Sequence, residues 1–138
     1  MQAELEKILK KAGYNVVMTR KSDEGLYSES STGKKSEDMR KRCAIIDSSD
    51  AVAAISIHQN SYHEENVKGA QVFFYKNSED GKQLAECLQE SLVNELDKTN
   101  IRQAKSNDSY YILRKTQTPT VIVECAFLSN YEEAALII

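Results

Sequence analysis

Apolar and polar positions alternate with two different periods along this chain, and the switches between them mark its elements. In "MQAELEKILKKAG", Leu5, Ile8, Leu9 and Ala12 fall on one helical face, and Gly13 is placed to stop that helix. "YNVVMTR", Tyr14 to Arg20, predicts a strand. The Ser- and Gly-rich stretch from Lys21 to Lys35 then reads as a long exposed loop. Ser36 is a candidate cap for a helix that turns Met39, Cys43 and Ile46 inward and ends near Ser49. "AVAAISIH" is too apolar to alternate, the pattern of a strand buried on both faces in the middle of a parallel sheet. "GAQVFFY" is the next strand, opened by Gly69. From Asn77 or Ser78 the longest helix carries Leu84, Cys87, Leu88, Ser91, Leu92 and Leu96 at helical spacing. "SYYILRK" predicts a short strand, and "TVIVECAFL", just after Pro119, a second doubly apolar one. Asn130 and Glu133 have the spacing of a capping box for a last helix that runs into "ALII".

The resulting order, αβ(loop)αββαββα, predicts one α/β domain over residues 1–138, built on a mostly parallel sheet. The chain starts inside a helical pattern with no capping residue ahead of it, and it ends on apolar residues. Both features lead us to expect a domain truncated at its two ends, with a further strand upstream.

Composition narrows the function classes. A net charge of −3 argues against a nucleic-acid binder, and Lys34-Lys35 and Arg40-Lys41-Arg42 read as solvated surface. No stretch has the length and apolarity of a membrane span, and no signal peptide is visible. Cys43, Cys87 and Cys125 form no CxxC pair and sit among apolar positions, so they read as small buried hydrophobes.

Two residues carry candidate chemistry. His58 ends the apolar run "AVAAISIH", with Ser56 on the same side of that strand. It is either a satisfied core histidine, a metal ligand or a proton carrier. Glu124 sits near the carboxyl end of "TVIVE", where an unpaired carboxylate is costly to bury. Open parallel sheets build their sites beyond the carboxyl ends of strands, and these two residues hold equivalent places on two such strands. A histidine and a glutamate there suit metal-assisted hydrolysis, in which zinc acidifies a water and a carboxylate moves protons. Cys125 points to the other face from Glu124, which weakens a cysteine nucleophile. His63, Glu64 and Glu65 lack the spacing of a helical zinc pair and read as a solvated loop.

"SIHQN" (Ser56–Asn60), "GAQVFFY" (Gly69–Tyr75), "YYILR" (Tyr110–Arg114) and "PTVIVECAFLSN" (Pro119–Asn130) resemble the zinc-dependent N-acetylmuramoyl-L-alanine amidases of type 3. "VVMTRKSD" and "MRKRCAIIDSSDA" follow in family order, so the resemblance covers nearly the whole chain. It looks closest to the amidases of spore-cortex maturation, the germination-specific ones. The resemblance implies a twisted, mainly parallel sheet with helices on both faces. It implies hydrolysis of the amide between N-acetylmuramic acid and L-alanine in peptidoglycan, outside the cytoplasm, with an activating protein as a further partner. His58 would be a zinc ligand and Glu124 the catalytic carboxylate. The chain departs from the family in three places. The family's other two zinc ligands, a histidine in a DPGHGG-like motif and a glutamate, have no counterpart here. Ala126 stands where glycine is usual, and the closing helix is short. These departures predict weak zinc binding and slow or no turnover by these residues alone. They keep a second class open, a non-catalytic descendant that binds peptidoglycan or a partner protein.

Overall fold

The computed structural model describes residues 1–137. The chain divides into two compact units, Met1–Asp50 and Ala51–Ile138. The last predicted helix runs into "ALII", whose final residue, Ile138, lies outside the described residues.

The first unit holds two helices, α1 (Gln2–Lys11) and α2 (Lys34–Ser48). Helix α1 ends as its glycine predicts. Gly13 has φ +91°, and the amides of Gly13 and Tyr14 donate back to the carbonyls of Lys10 and Leu9. Those bonds satisfy two carbonyls that the helix end would leave open. Tyr14 to Arg20 does not form the predicted strand. A strand exists through its ladder, and this segment has no ladder partner among the described residues. Helix α2 starts two residues before the predicted Ser36 cap, with Gly33 at its N-cap. It is held instead by Asp38, which is buried. The Asp38 carboxylate accepts the Leu26 amide at 2.7 Å and pairs with Arg42 at 2.8 Å, four residues on. Arg42 is therefore tied down, unlike the solvated residue expected from its basic run. Lys41 pairs with Glu37 at 2.7 Å. Cys43 and Ile46 are buried on α2 as predicted.

The second unit contains β1 (Ala54–Asn60), β2 (Gln71–Tyr75), α3 (Glu79–Leu96), β3 (Lys105–Asn107), α4 (Tyr111–Lys115), β4 (Thr120–Phe127) and α5 (Tyr131–Ile137). The four strands form one sheet in the order β1-β4-β2-β3. β1 pairs with β4 and β2 with β3 in parallel, whereas β2 and β4 are antiparallel. The sheet is thus mixed but mostly parallel, as the element order predicts.

Only β4 has the burial expected of a doubly apolar strand; Thr120 to Val123, Ala126 and Phe127 are all buried. β1 is equally apolar in composition, yet it lies at the edge of the sheet, with Ile55 38% exposed. Apolarity alone does not report how many lateral neighbours a strand has. Val72, Phe74, Val121 and Val123 face one side of the sheet and form a core with Ala85 of α3. Cys125 packs against that cluster, on the face opposite Glu124. The buried stripe of α3 is Gly81, Ala85 and Gln89, flanked by half-buried Leu84, Leu88 and Leu92. Cys87, Ser91 and Leu96 are exposed instead, so Cys87 is not the buried hydrophobe expected. Helix α3 starts at Glu79 because Ser78 accepts the Gly81 amide at 3.0 Å.

"SYYILRK" is also reassigned. Asn107 accepts the amides of Ser109 and Tyr110 at 2.9 and 2.8 Å, and this turn feeds the chain into α4. Asx turns of this kind compete with extended structure. Tyr110 meets Phe73 edge-on at 5.7 Å, on the face opposite the Val72 core. The short strand of this region is β3, from Lys105 to Asn107, a segment whose polar sequence carries no strand signal.

Candidate functional site

Register brings the two predicted residues together. His58 on β1 is the partner of Glu124 on β4 in a parallel pair, so both side chains leave the same face of the sheet. Ser56 and Ile122 precede them on that face. On the other side of Glu124, its antiparallel partner on β2 is Gln71. Three neighbouring strands therefore present His58, Glu124 and Gln71 in a row across the sheet.

The ladder then changes register. His58 pairs with Glu124, but Asn60 pairs with Phe127, so β4 carries one more residue than β1 between these pairs. This is a β-bulge at Cys125–Ala126, directly after the carboxylate. It also resets the alternation. Phe127 comes to share the face of Glu124 although it lies three positions further along the strand. Arg102 lies over the Phe127 ring, 5.0 Å from its centroid, and donates from Nη1 to Gln71 Oε1 at 3.1 Å and from Nε to the Lys68 carbonyl at 3.0 Å.

Each side chain of the row has a distinct setting. His58 Nε2 lies 2.8 Å from Ser56 Oγ, a hydrogen bond whose donor is set by the imidazole tautomer. This contact orients an exposed ring on an edge strand. Glu124 is half-buried, and burial raises its carboxyl above the ordinary carboxylate range. Its Oε2 atom is buried with no hydrogen-bond partner among the described residues. A native structure rarely leaves such an atom unserved without a use for it. Cys125 behind it is pushed up by burial first and by the Glu124 charge second, the opposite of what a nucleophilic thiolate needs.

The segments beyond both strands are tied to each other. Leu128 donates its amide to the Asn60 carbonyl at 2.8 Å, and Tyr62 donates to Ser129 Oγ at 3.0 Å. Asn130 donates from its side chain to the Glu65 carbonyl at 2.9 Å. His63, Glu64 and Glu65 lie on this loop as exposed residues, and His63 meets its neighbours, Glu64 at 3.6 Å and the Tyr62 ring at 4.2 Å between centroids. They do not join His58 and Glu124.

A zinc ion takes three protein ligands and a water at a catalytic site. The row supplies one imidazole and one carboxylate with an unserved oxygen. Among the described residues no group of three His, Cys, Asp or Glu side chains is placed to hold a metal. The donor set present here does not by itself fit the ion. Sequence reasoning missed Gln71 and Arg102. Gln71 had a signal, as the polar residue sharing a face with Phe73 and Tyr75 in an apolar strand. Arg102 had none.

A mixed sheet with helices, carrying an imidazole and a half-buried carboxylate on neighbouring parallel strands, places the domain in the α/β class, and solved amidase structures share its fold. The CwlD amidase from Clostridioides difficile, solved in complex with the GerS lipoprotein, is 37% identical, with a TM-score of 0.93 over 98% of this chain and 71% of that one. Ami1 from Mycobacterium smegmatis shares the fold at a TM-score of 0.82 over 99% of this chain and 63% of that one, with 22% identity.

The chain belongs to the N-acetylmuramoyl-L-alanine amidase family, whose model matches residues 1–138. The germination-specific N-acetylmuramoyl-L-alanine amidase of Bacillus subtilis strain 168 is 36% identical over 132 residues, 94% of this chain and 55% of that protein. The probable cell wall amidase LytH of Staphylococcus saprophyticus is 30% identical over 127 residues, 92% of this chain and 37% of that protein. The chain thus spans about half the length of the first relative and less of the second.

Proposed function

We propose that this chain is part of a peptidoglycan hydrolase that cleaves the amide between N-acetylmuramic acid and L-alanine, with Glu124 as its catalytic carboxylate. The observation that carries the reading is the orphaned, buried Oε2 of Glu124 in register with His58, inside a chain of this family. Burial raises the carboxyl, which favours a group that must both take and give a proton near neutral pH. Glu124 removes a proton from the attacking water as the water adds to the scissile carbonyl. It then delivers that proton to the muramyl-to-alanine nitrogen as the C–N bond breaks, leaving a carboxylic acid and a free amine. Gln71, held by Arg102, and Phe127 line the same face beside it and would border the bound peptide.

His58 is proposed as one ligand of the zinc on which this family generally depends. The described residues do not complete that ligand set, so the proton route above is argued from Glu124 alone. The family match runs through both compact units, which supports reading residues 1–138 as one catalytic domain. The relatives, a germination-specific amidase and a probable cell wall amidase, support action at the cell wall, outside the cytoplasm, and a role near germination or spore-cortex maturation. The GerS complex of the CwlD amidase supports a protein partner of the same general kind. Among the described residues no helix is long and apolar enough to cross a membrane.

The test is release of stem peptides from purified peptidoglycan by the native full-length protein and by its Glu124→Gln form. New L-alanine amino termini from the parent and none above background from the variant are expected. Binding of peptidoglycan without cleavage by the parent would transfer the chain to the non-catalytic class.

A further inference from the structure

Glu133 is spent in an unexpected way. Its position in α5 is fixed by Asn130, which caps the helix and accepts the Glu133 amide at 3.0 Å. A capping box would return the glutamate to the Asn130 amide. That amide instead donates to the Phe127 carbonyl at 3.0 Å, and the Glu133 carboxylate reaches away from its own helix. Oε1 accepts the Gly69 amide and Oε2 accepts the Phe127 amide, each at 2.7 Å. These are short, charge-assisted bonds, one from the last residue of β4 and one from the segment that leads into β2.

Both anchor points flank the site. Phe127 is the first residue after the bulge that follows Glu124, and Gly69 lies two residues before Gln71, the cross-strand partner of Glu124. The register of β2 with β4 ends at the Gln71–Glu124 pair. Beyond it the two segments both present N–H groups, which cannot satisfy each other, and one carboxylate serves both. Gly69 has φ +104°, and a Cβ there would come 2.7 Å from Asn100 Oδ1, so the backbone turn that aims its amide at Glu133 requires glycine. The same helix start holds the loop after His58, through Asn130 and the Glu65 carbonyl.

We propose that Glu133 is a positioning residue for Glu124: its carboxylate locks the bulged end of β4 to the entry of β2 and thereby fixes where the Glu124 side chain stands. The bulge interrupts the ladder beside Glu124; past it β4 is tied to β1 through Asn60, and on the β2 side the Glu133 clamp is what opposes sliding or twisting of the strand end. A shift of about 1 Å in a reacting group costs up to about 100-fold in rate. This inference rests on the amidase reading of Glu124, and its test has an arm that does not.

The experiment compares Glu133→Gln and Glu133→Ala with the parent, and with Lys68→Ala as control. That control removes the exposed pairing of Lys68 with Glu132 and the weaker attraction of its charge for Glu133, and leaves both Glu133 hydrogen bonds in place. In the native full-length protein, Glu133→Gln should lower kcat by roughly 10- to 100-fold with KM within about threefold. Lys68→Ala should leave both unchanged. In the 138-residue chain, amide exchange at Gly69 and Phe127 should accelerate at least about tenfold in both Glu133 variants. The side-chain carboxyl resonance of Glu124 should move in Glu133→Gln and stay in Lys68→Ala. If Glu133→Ala fails to fold, Glu133→Gln keeps the volume and one acceptor and carries the test. Unchanged kcat in Glu133→Gln, or an unmoved Glu124 resonance despite faster exchange, overturns the proposal. A responsive Glu124 resonance in a parent that releases no stem peptide would instead leave the clamp standing and refute the hydrolase reading.

Discussion

Replacing Glu124 with glutamine should make the fold more stable while it removes turnover. The carboxylate holds a buried oxygen with no partner among the described residues, so it costs the folded state. A buried polar group left unsatisfied costs about 1–3 kcal/mol. Glutamine has nearly the same shape and no charge, but its amide keeps one poorly solvated atom. About half of the cost, ~1 kcal/mol, should therefore be recovered. For a chain of this size that raises Tm by roughly 2–6 °C. The assay is thermal and urea unfolding of parent and variant at pH 8 in EDTA, so that no metal serves the carboxylate. The paired assay is stem-peptide release by the full-length protein, where loss of a general acid–base should cost about 100- to 10,000-fold in kcat. A variant less stable than the parent by ~1 kcal/mol or more would refute the reasoning, because Glu124 would then have a stabilising partner. Full activity in the glutamine form would refute its catalytic role.

Gln89 is 4% exposed and serves the Val72 amide and the Ala70 carbonyl at 2.8 and 3.0 Å. Gln89→Leu should cost about 2–4 kcal/mol in urea unfolding, and a loss under about 0.5 kcal/mol would mean those groups find other partners. Burial pushes Asp38 up, but the Leu26 amide and the Arg42 guanidinium outweigh it and hold its carboxyl below the ordinary value. Its contribution is thus complete above about pH 3.9 and is lost as pH falls through the lower folded value. Asp38→Asn should cost about 1–3 kcal/mol at neutral pH, with the gap to the parent closing on acidification below about pH 4. The donor set of His58 and Glu124 predicts less than one zinc per chain in the 138-residue protein after dialysis. Stoichiometric metal by elemental analysis would show that other residues complete the site.

The sequence by itself determined the elements that depend on local chemistry. The Gly13 stop and the Ser78 cap follow from side-chain type and stand where the pattern puts them, whereas of the predicted α3 stripe Leu84, Leu88 and Leu92 turn to the core and Cys87, Ser91 and Leu96 do not. "AISIH" and "TVIVE" likewise announced two strands ending in chemistry, and the parallel register of His58 with Glu124 bears out their matched places. What depends on lateral neighbours was not legible. "YNVVMTR" has strand propensity but no ladder among the described residues, and "AVAAISIH" lies at an edge though its composition matches the central β4. "SYYILRK" became a helix because Asn107 captures two amides ahead of it, a local bond whose competition with a strand only packing decides. The site shows the same division. A motif can place a histidine and a glutamate at strand ends, but the bulge that returns Phe127 to their face, and the reach of Glu133 and Arg102 across the sheet, arise between segments distant in sequence. Period-two and period-3.6 patterns encode which way a side chain leaves its own element. They carry no term for the backbone that will lie beside it, and that backbone is what tertiary structure supplies.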